Sequence, residues 1–196
     1  MKRIFDIVAS GLGLLVLSPL FLVLAVWIKL DSEGPVFYRQ VRVGRNNKDF
    51  RLFKFRSMRV GSDKKGLITV GGHDPRVTRS GYFIRKYKLD ELPQLINVFI
   101  GDMSLVGPRP EVRKYVDMYT PEQMHVLDVR PGITDMASIR YRNENELLEQ
   151  AEDPDRYYVD AIMQDKLRIN LEYVEKHSFF FDIKLIFKTF WEIIAK

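Results

Sequence analysis

The residue types and spacing best suited to chemistry lie in Lys88–Pro110, KLDELPQLINVFIGDMSLVGPRP. Two adjacent acids, Asp90 and Glu91, precede Leu92, Leu95, Ile96 and Phe99, a spacing that predicts one apolar face of a helix over 91–100. Asp90 suits an N-cap, Pro93 the first turn and Gly101 the stop. Carboxylates at a helix N-terminus meet unpaired N–H groups and the positive dipole end, which lower their pKa and also welcome a phosphate. A second anion-friendly element, Gly107-Pro108-Arg109-Pro110, follows soon after. Taken alone, an acid pair at a helix start is more often a cap than a reactive site.

The elements that position this pair fit one domain. The 196 residues are enough for a single core. A net charge of +5 and a pI near 9.3 point to an anionic partner: nucleic acid, anionic lipid or a phosphorylated substrate. The absence of cysteine excludes a disulfide scaffold and Cys-based zinc sites. His73, His125 and His177 are scattered, without metal-ligand spacing.

From Ile7 to Ile28 the chain carries no charge, and as a helix this stretch would reach roughly 33 Å, enough to cross a bilayer. It is too long for a signal-peptide core and no A-x-A-like site follows. Pro19 sits near its middle, where it removes a backbone hydrogen bond. Basic residues flank both ends: Lys2 and Arg3 before, then Lys29, Arg39, Arg42, Arg45 and Lys48 after. The positive-inside bias would keep both flanks in the cytoplasm. A helix broken at Ser18-Pro19, its freed carbonyls met by Ser18 or Ser10 hydroxyls, satisfies both facts. On the residues alone, a spanning helix and a re-entrant one both remain open.

Beyond residue 30 the pattern reads α+β: an α-rich single domain with a small β-hairpin and no repeats. Strands are expected at Val36–Gln40 and Phe50–Phe55 around a Gly44–Asp49 turn, and a loop at Gly61–Pro75. Helices are expected at about 78–87, 91–100, 110–118 and 121–128, interrupted by Arg130–Thr134. A short helix in Asn143–Asp153 and a longer one over Asp155–His177 follow. No strand–GxGxxG–helix unit exists, so a doubly wound fold is excluded. At the C-terminus, Phe179–Trp191 groups Phe179, Phe180, Ile183, Ile186, Phe187, Phe190 and Trp191 on one broad side, interrupted by Asp182, Lys184 and Lys188. That pattern suits an amphipathic helix in the headgroup plane.

LDELPQL followed by GDMSLVGPRP resembles the bacterial sugar transferase family, the small monotopic phosphoglycosyl transferases that begin glycan assembly on a polyprenyl-phosphate carrier. Ser18-Pro19, Lys54-Phe55-Arg56-Ser57-Met58, Asp74-Pro75-Arg76 and Arg130-Pro131-Gly132-Ile133-Thr134 occur in the family's order. The resemblance implies a re-entrant helix–break–helix over 1–30 and a cytoplasmic catalytic domain over 31–196, on the inner membrane's cytoplasmic face. It implies transfer of a phosphosugar from a UDP-sugar to polyprenyl (undecaprenyl) phosphate with release of UMP. Asp90 matches the nucleophile that forms a covalent aspartyl–phosphosugar intermediate, and Glu91 would help it bind Mg²⁺. Lys54, Arg85, Arg109 and Arg142 match the phosphate-binding cations, with Arg130 a weaker match. Arg39, Arg42, Arg45, Lys64 and Lys65 are left as surface or lipid-facing charge. Membrane lipid is an implied partner, nucleic acid is not, and a homodimer is left open.

This chain departs from the family pattern in two places. Lys88 stands where a Ser or Thr is usual, and Asp135–Arg142 keeps only the alanine and the final arginine of the usual run. The identity of the sugar does not transfer across that change. A basic membrane-tethered nucleic-acid binder would need a recognition signature that is missing here. A non-catalytic scaffold would make Asp90 dispensable.

Overall fold

A computed structural model describes residues 1–62 and 74–194. Most of the Gly61–Pro75 loop, with Lys64, Lys65 and His73, lies outside these residues, as does the side chain of Phe190.

The uncharged N-terminal run forms α1, Lys2–Asp31, long and apolar enough to cross a membrane. The expected break at Ser18-Pro19 is absent: the helix continues through Pro19. Proline removes only the N–H that would reach Leu15, and the Ser18 hydroxyl donates to that Leu15 carbonyl at 2.7 Å. Ser10 likewise bonds back to the Asp6 and Ile7 carbonyls.

Both ends of α1 are fastened to the same body. At the start, the Lys2 ammonium donates to the Val106 carbonyl at 2.9 Å and pairs with Asp182, while Asp6 accepts from the Leu105 N–H at 3.1 Å. At the end, Asp31 accepts from the N–H and hydroxyl of Ser80, and buried Arg56 donates to the carbonyls of Ile28, Ser32 and Glu33. One side chain thus satisfies carbonyls that a helix terminus leaves orphaned. Gly34, at φ 122°, leaves room for it; a Cβ there would lie 2.0 Å from the Arg56 guanidinium. Between these ends Leu12, Leu15, Val16, Leu22 and Val23 are exposed.

The hairpin is longer than expected. β1, Phe37–Val43, pairs antiparallel with β2, Asp49–Phe55, in register from Phe37 opposite Phe55 to Val43 opposite Asp49. Asn46 and Asn47 take left-handed φ in the turn, which asparagine tolerates. Phe55 packs with Leu24 and Ile28 of α1 and Ile84 of α2, Arg79–Lys86. Thr78 caps α2 by accepting from the Gly81 N–H. A Cβ on Gly81 would meet the Ser57 carbonyl at 2.0 Å, so that close approach requires glycine.

A 3₁₀ turn at Leu89–Glu91 leads to α3, Gln94–Ile100, which starts three residues later than the spacing predicts. Asp90 is therefore not its N-cap; Pro93 takes that place. The apolar face carrying Leu95 and Phe99 turns toward Gly13 and Gly11 of α1, whereas Gln94, Asn97 and Val98 face inward. Asn97 joins α3 to β2, accepting from the Phe53 N–H and donating to the Arg51 carbonyl, both at 2.9 Å.

Two further strands escape the sequence pattern: β3, Ser104–Val106, and β4, Gly132–Thr134, pair in parallel. Their following and preceding turns interlock. The Gly132 N–H donates to Pro108 and the Gly107 N–H to Thr134, and a Cβ on Gly132 would lie 2.1 Å from the Gly107 nitrogen. Shorter helices follow: α4, Arg113–Val116; α5, Met136–Arg140; α6, Glu144–Glu149; and α7, Pro154–Tyr157. The expected long helix is α7 joined through a π turn at Tyr158–Ile162 to α8, Met163–Lys176. The expected helix over 121–128 is a 3₁₀ segment, Gln123–Asp128.

The last helix, α9, Phe179–Ile194, exposes Phe180, Phe187 and Trp191, while Ile186 and Phe179 of the same expected side pack on Leu185 and its neighbours and on Phe5. Asp182 is the correction. It is buried, accepts from the Tyr173 hydroxyl at 2.7 Å and pairs with Lys2, so it pins α9 inward instead of facing water. A buried carboxylate needs such partners.

Candidate active site

Three elements bring the acid pair and its cations together. The hairpin supplies Lys54 near the end of β2, the 3₁₀ turn supplies Asp90 and Glu91, and the interlocked glycine turns present Arg109 after β3. Lys88, the residue before that turn, adopts left-handed φ of 55°, an uncommon state for a non-glycine that reverses the chain between α2 and the acids.

Glu91 is held on both oxygens. Lys54 donates to Oε1 at 3.1 Å; the Arg109 guanidinium donates to Oε2 at 3.2 Å and also to Oε1. Such a fork is geometrically specific as well as charge-assisted. Burial pushes the Glu91 carboxyl up, but Arg109 and Lys54 together outweigh it and hold the group well below the usual carboxylate range. The same pairing raises Arg109, while burial lowers Lys54 against the pull of Glu91.

Asp90 behaves oppositely. It is nine-tenths buried, and among the described residues its carboxylate accepts no hydrogen bond. Burial raises its pKa, and the negative Glu91 adds to this; the charges of Lys54, Arg85 and Lys88 pull the other way. The depression expected from a helix N-terminus is therefore overturned for Asp90. For Glu91 it occurs, but two cations cause it and no helix cap is involved. Asp90 is thus a desolvated carboxylate without a hydrogen bond among the described residues, in the field of Lys54, Arg85 and Lys88.

The remaining expected residues divide. Arg85, half-buried on α2, contributes its charge at Asp90. Arg130 is not gathered with the acids: its Nε donates to the Gly101 carbonyl at 2.9 Å, closing the end of α3. Arg142 is exposed in the turn after α5. Arg42 is no surface charge; it pairs with Glu111 and donates to the Pro110 carbonyl at 3.0 Å, bracing the segment after Arg109. Asp135 was not singled out by its spacing. Buried as the N-cap of α5, it is raised by burial, partly offset by Ser138 hydrogen bonds, and its charge is felt at Arg109. The available signal was aspartate's preference for the N-cap position.

Among the described residues no three His, Cys, Asp or Glu side chains cluster as a metal site. Mg²⁺ does not require that many, since it uses one or two carboxylates beside phosphate oxygens and waters. Asp90 and Glu91 fit that donor set.

With this geometry in hand, comparison with known proteins identifies the chain's relatives. The family model described as bacterial sugar transferase matches residues 1–196. The chain is 42% identical over 201 residues to a UDP-N-acetylgalactosamine-undecaprenyl-phosphate N-acetylgalactosaminephosphotransferase of Aeromonas hydrophila, covering 99% of this chain and 44% of that protein. It is 40% identical over 193 residues to the UDP-glucose:undecaprenyl-phosphate glucose-1-phosphate transferase of Escherichia coli (strain K12), covering 96% and 39%. It is 37% identical over 195 residues to the uncharacterized sugar transferase EpsL of Bacillus subtilis (strain 168), covering 100% and 88%. The chain thus spans about two-fifths of the length of the first two relatives. Matched from its first residue to its last, this chain belongs to the bacterial sugar transferase family.

Proposed function

We propose that this chain transfers a sugar 1-phosphate from a UDP-sugar to undecaprenyl phosphate, with Asp90 as the nucleophile. The observation that carries this reading is the pairing of an unbonded, buried Asp90 with a neighbouring Glu91 already locked to Lys54 and Arg109. The names of the relatives supply the substrate classes.

In the first step an Asp90 carboxylate oxygen attacks the phosphorus that bears the sugar. The bond from that phosphorus to the UMP oxygen breaks, and UMP leaves with the electron pair. The product is a mixed anhydride of Asp90 and the phosphosugar. In the second step a phosphate oxygen of the polyprenyl carrier attacks the same phosphorus. The bond to Asp90 breaks, which restores the carboxylate and yields a polyprenyl diphosphate sugar. Splitting one displacement into two is the gain of covalent catalysis. Arg109, Lys54 and Arg85 stand where diphosphate charge needs neutralising, and such preorganised charge is the largest contribution to phosphoryl transfer. Asp90 and Glu91 would hold Mg²⁺, whose bound charge would add to that neutralisation.

The acceptor is a membrane lipid, so the site must face a bilayer. We read α1 as re-entrant, bent at Pro19 without losing its helical backbone, because a spanning helix would carry its ends to opposite faces while both ends here are bonded to one body. Residues 1–30 then form the anchor and 31–196 the catalytic domain on the cytoplasmic face of the inner membrane, with the exposed aromatics of α9 at the headgroups. UMP release, measured over a panel of UDP-sugars with and without undecaprenyl phosphate, tests the reaction. One sugar nucleotide should release UMP, with turnover dependent on the carrier. Absence of release from every UDP-sugar would end the proposal.

A further inference from the structure

A cleft of about 540 Å³ opens between α5, α8 and α9, and it is lined by none of the residues around the acid pair. Its floor is apolar, built from Ile139, Ile169, Phe181 and Leu185. Its rim carries four cations, Arg140, Arg168, Lys184 and Lys188, against a single lining carboxylate, Glu172. Arg140 and Arg168 already pair with Asp165, and Arg168 also with Glu172. Lys184 and Lys188 form no ion pair among the described side chains. They sit four residues apart on α9, hence on one face, beside exposed Phe180, Phe187 and Trp191.

We propose that this cleft binds an anionic phospholipid, its phosphate between Lys184 and Lys188 and an acyl chain over the apolar floor. The two ammonium groups, without an ion pair among the described side chains, complement one phosphate, and their aliphatic stems can lie along the chain. A free inorganic phosphate would leave the floor facing water, and a neutral lipid would leave the lysines uncompensated. The reacting phosphates have their own cations in Lys54, Arg85 and Arg109, so this second set suits a lipid that is held and not consumed. It would fix the rotation of α9, and through the Asp182–Lys2 pair the seating of the whole domain on the surface.

The test is native mass spectrometry of the full chain released from nanodiscs of equimolar phosphatidylglycerol and phosphatidylcholine, with no UDP-sugar present. Wild type should retain one phosphatidylglycerol. Lys184→Gln with Lys188→Gln should lower that occupancy by about ten-fold or more, since each basic residue near an anionic surface contributes separately. Ile139→Phe, which fills the cleft without changing charge, should also lose the lipid; thermal unfolding run alongside verifies that it folds. Met118→Ser, at an exposed residue outside the lining and off α9, should keep it. Equal retention of the two lipids, or a bound lipid that survives the double lysine change, would overturn the proposal. So would displacement of phosphatidylglycerol by added undecaprenyl phosphate, which would make the cleft an acceptor site. No sugar transfer is read, so failure here leaves the proposed reaction standing.

Discussion

Asp90 and Glu91 are neighbours in one 3₁₀ turn, yet their carboxyls are driven in opposite directions. Lys54 and Arg109 occupy Glu91 and keep it ionised, while Asp90 is buried without a hydrogen bond among the described residues. In the proposed reaction these divergent environments would separate the roles of the two acids, Glu91 fixing cations and Asp90 attacking.

Asp90→Asn should reduce transfer by on the order of 10³-fold or more. It should not lower the melting temperature at neutral pH. Because burial raises the folded-state pKa of Asp90, the native chain holds that proton to higher pH than the unfolded one. Ionised Asp90 therefore costs stability as pH rises through that window, and asparagine removes the cost. Thermal unfolding and a turnover assay on one preparation check both halves. The acid limb of the wild-type rate profile should lie above the ordinary aspartate range, since only the carboxylate attacks.

Glu91→Gln should slow turnover by about 10²-fold and weaken the response to Mg²⁺, because it removes the charge on which Lys54 and Arg109 converge. Its pH signature is the reverse of that of Asp90. Glu91 has a depressed pKa, so it contributes stability above its ordinary range and loses it as pH falls toward the lowered value. The glutamine variant should lack that acid-side loss. Full turnover in EDTA would remove the metal from this account.

The arginines should separate into two kinds. Arg109→Ala and Arg85→Ala should each cut turnover by about 10²- to 10³-fold. Arg130→Ala should act on stability instead, by about 1 kcal/mol, because it strips a hydrogen bond from the Gly101 carbonyl. Exposed Arg45 should tolerate alanine with little change in either measurement. Equal losses at all four positions would show bulk charge at work, with no defined site.

Single introduced cysteines can report the topology of α1, since the chain has none of its own. Ile4 and Glu33 are exposed near its two ends, whereas Lys2 is tied to Asp182 and Gly34 has no space beside Arg56. Cysteines at Ile4 and Glu33 should both be labelled only from the cytoplasmic side. Labelling of Ile4→Cys from the periplasmic side would leave an ordinary single-pass anchor.

Much of this was legible in the residues, because local pattern decided it. The hairpin followed from aromatic runs about a turn, α1 from its uncharged run, and the meeting of Lys54, Asp90, Glu91 and Arg109 from motifs whose other residues the fold explains physically. In Lys54–Ser57, Lys54 reaches Glu91, Phe55 enters the core, Arg56 closes α1 and Ser57 seats Gly81. What stayed hidden depends on distant partners. β3 and β4 are three residues each and pair across 28 positions, too short for any period to register. Asp182 and Arg42 look like surface charge until Lys2 and Glu111, far along the chain, arrive beside them. The late start of α3 goes with the 3₁₀ turn at Leu89–Glu91 and with Pro93 at its N-cap, a local choice of turn that apolar spacing does not register.

Covalent transfer through Asp90 is open to mass spectrometry of wild type mixed with its UDP-sugar in the absence of undecaprenyl phosphate. With no acceptor the first step should proceed and the second should stall. A phosphosugar adduct should then appear on the Asp90 peptide, matched by UMP release, and both should vanish in Asp90→Asn. UMP release only when the carrier is present, with no adduct on Asp90 under rapid quench, would contradict the account and indicate direct transfer between the two substrates.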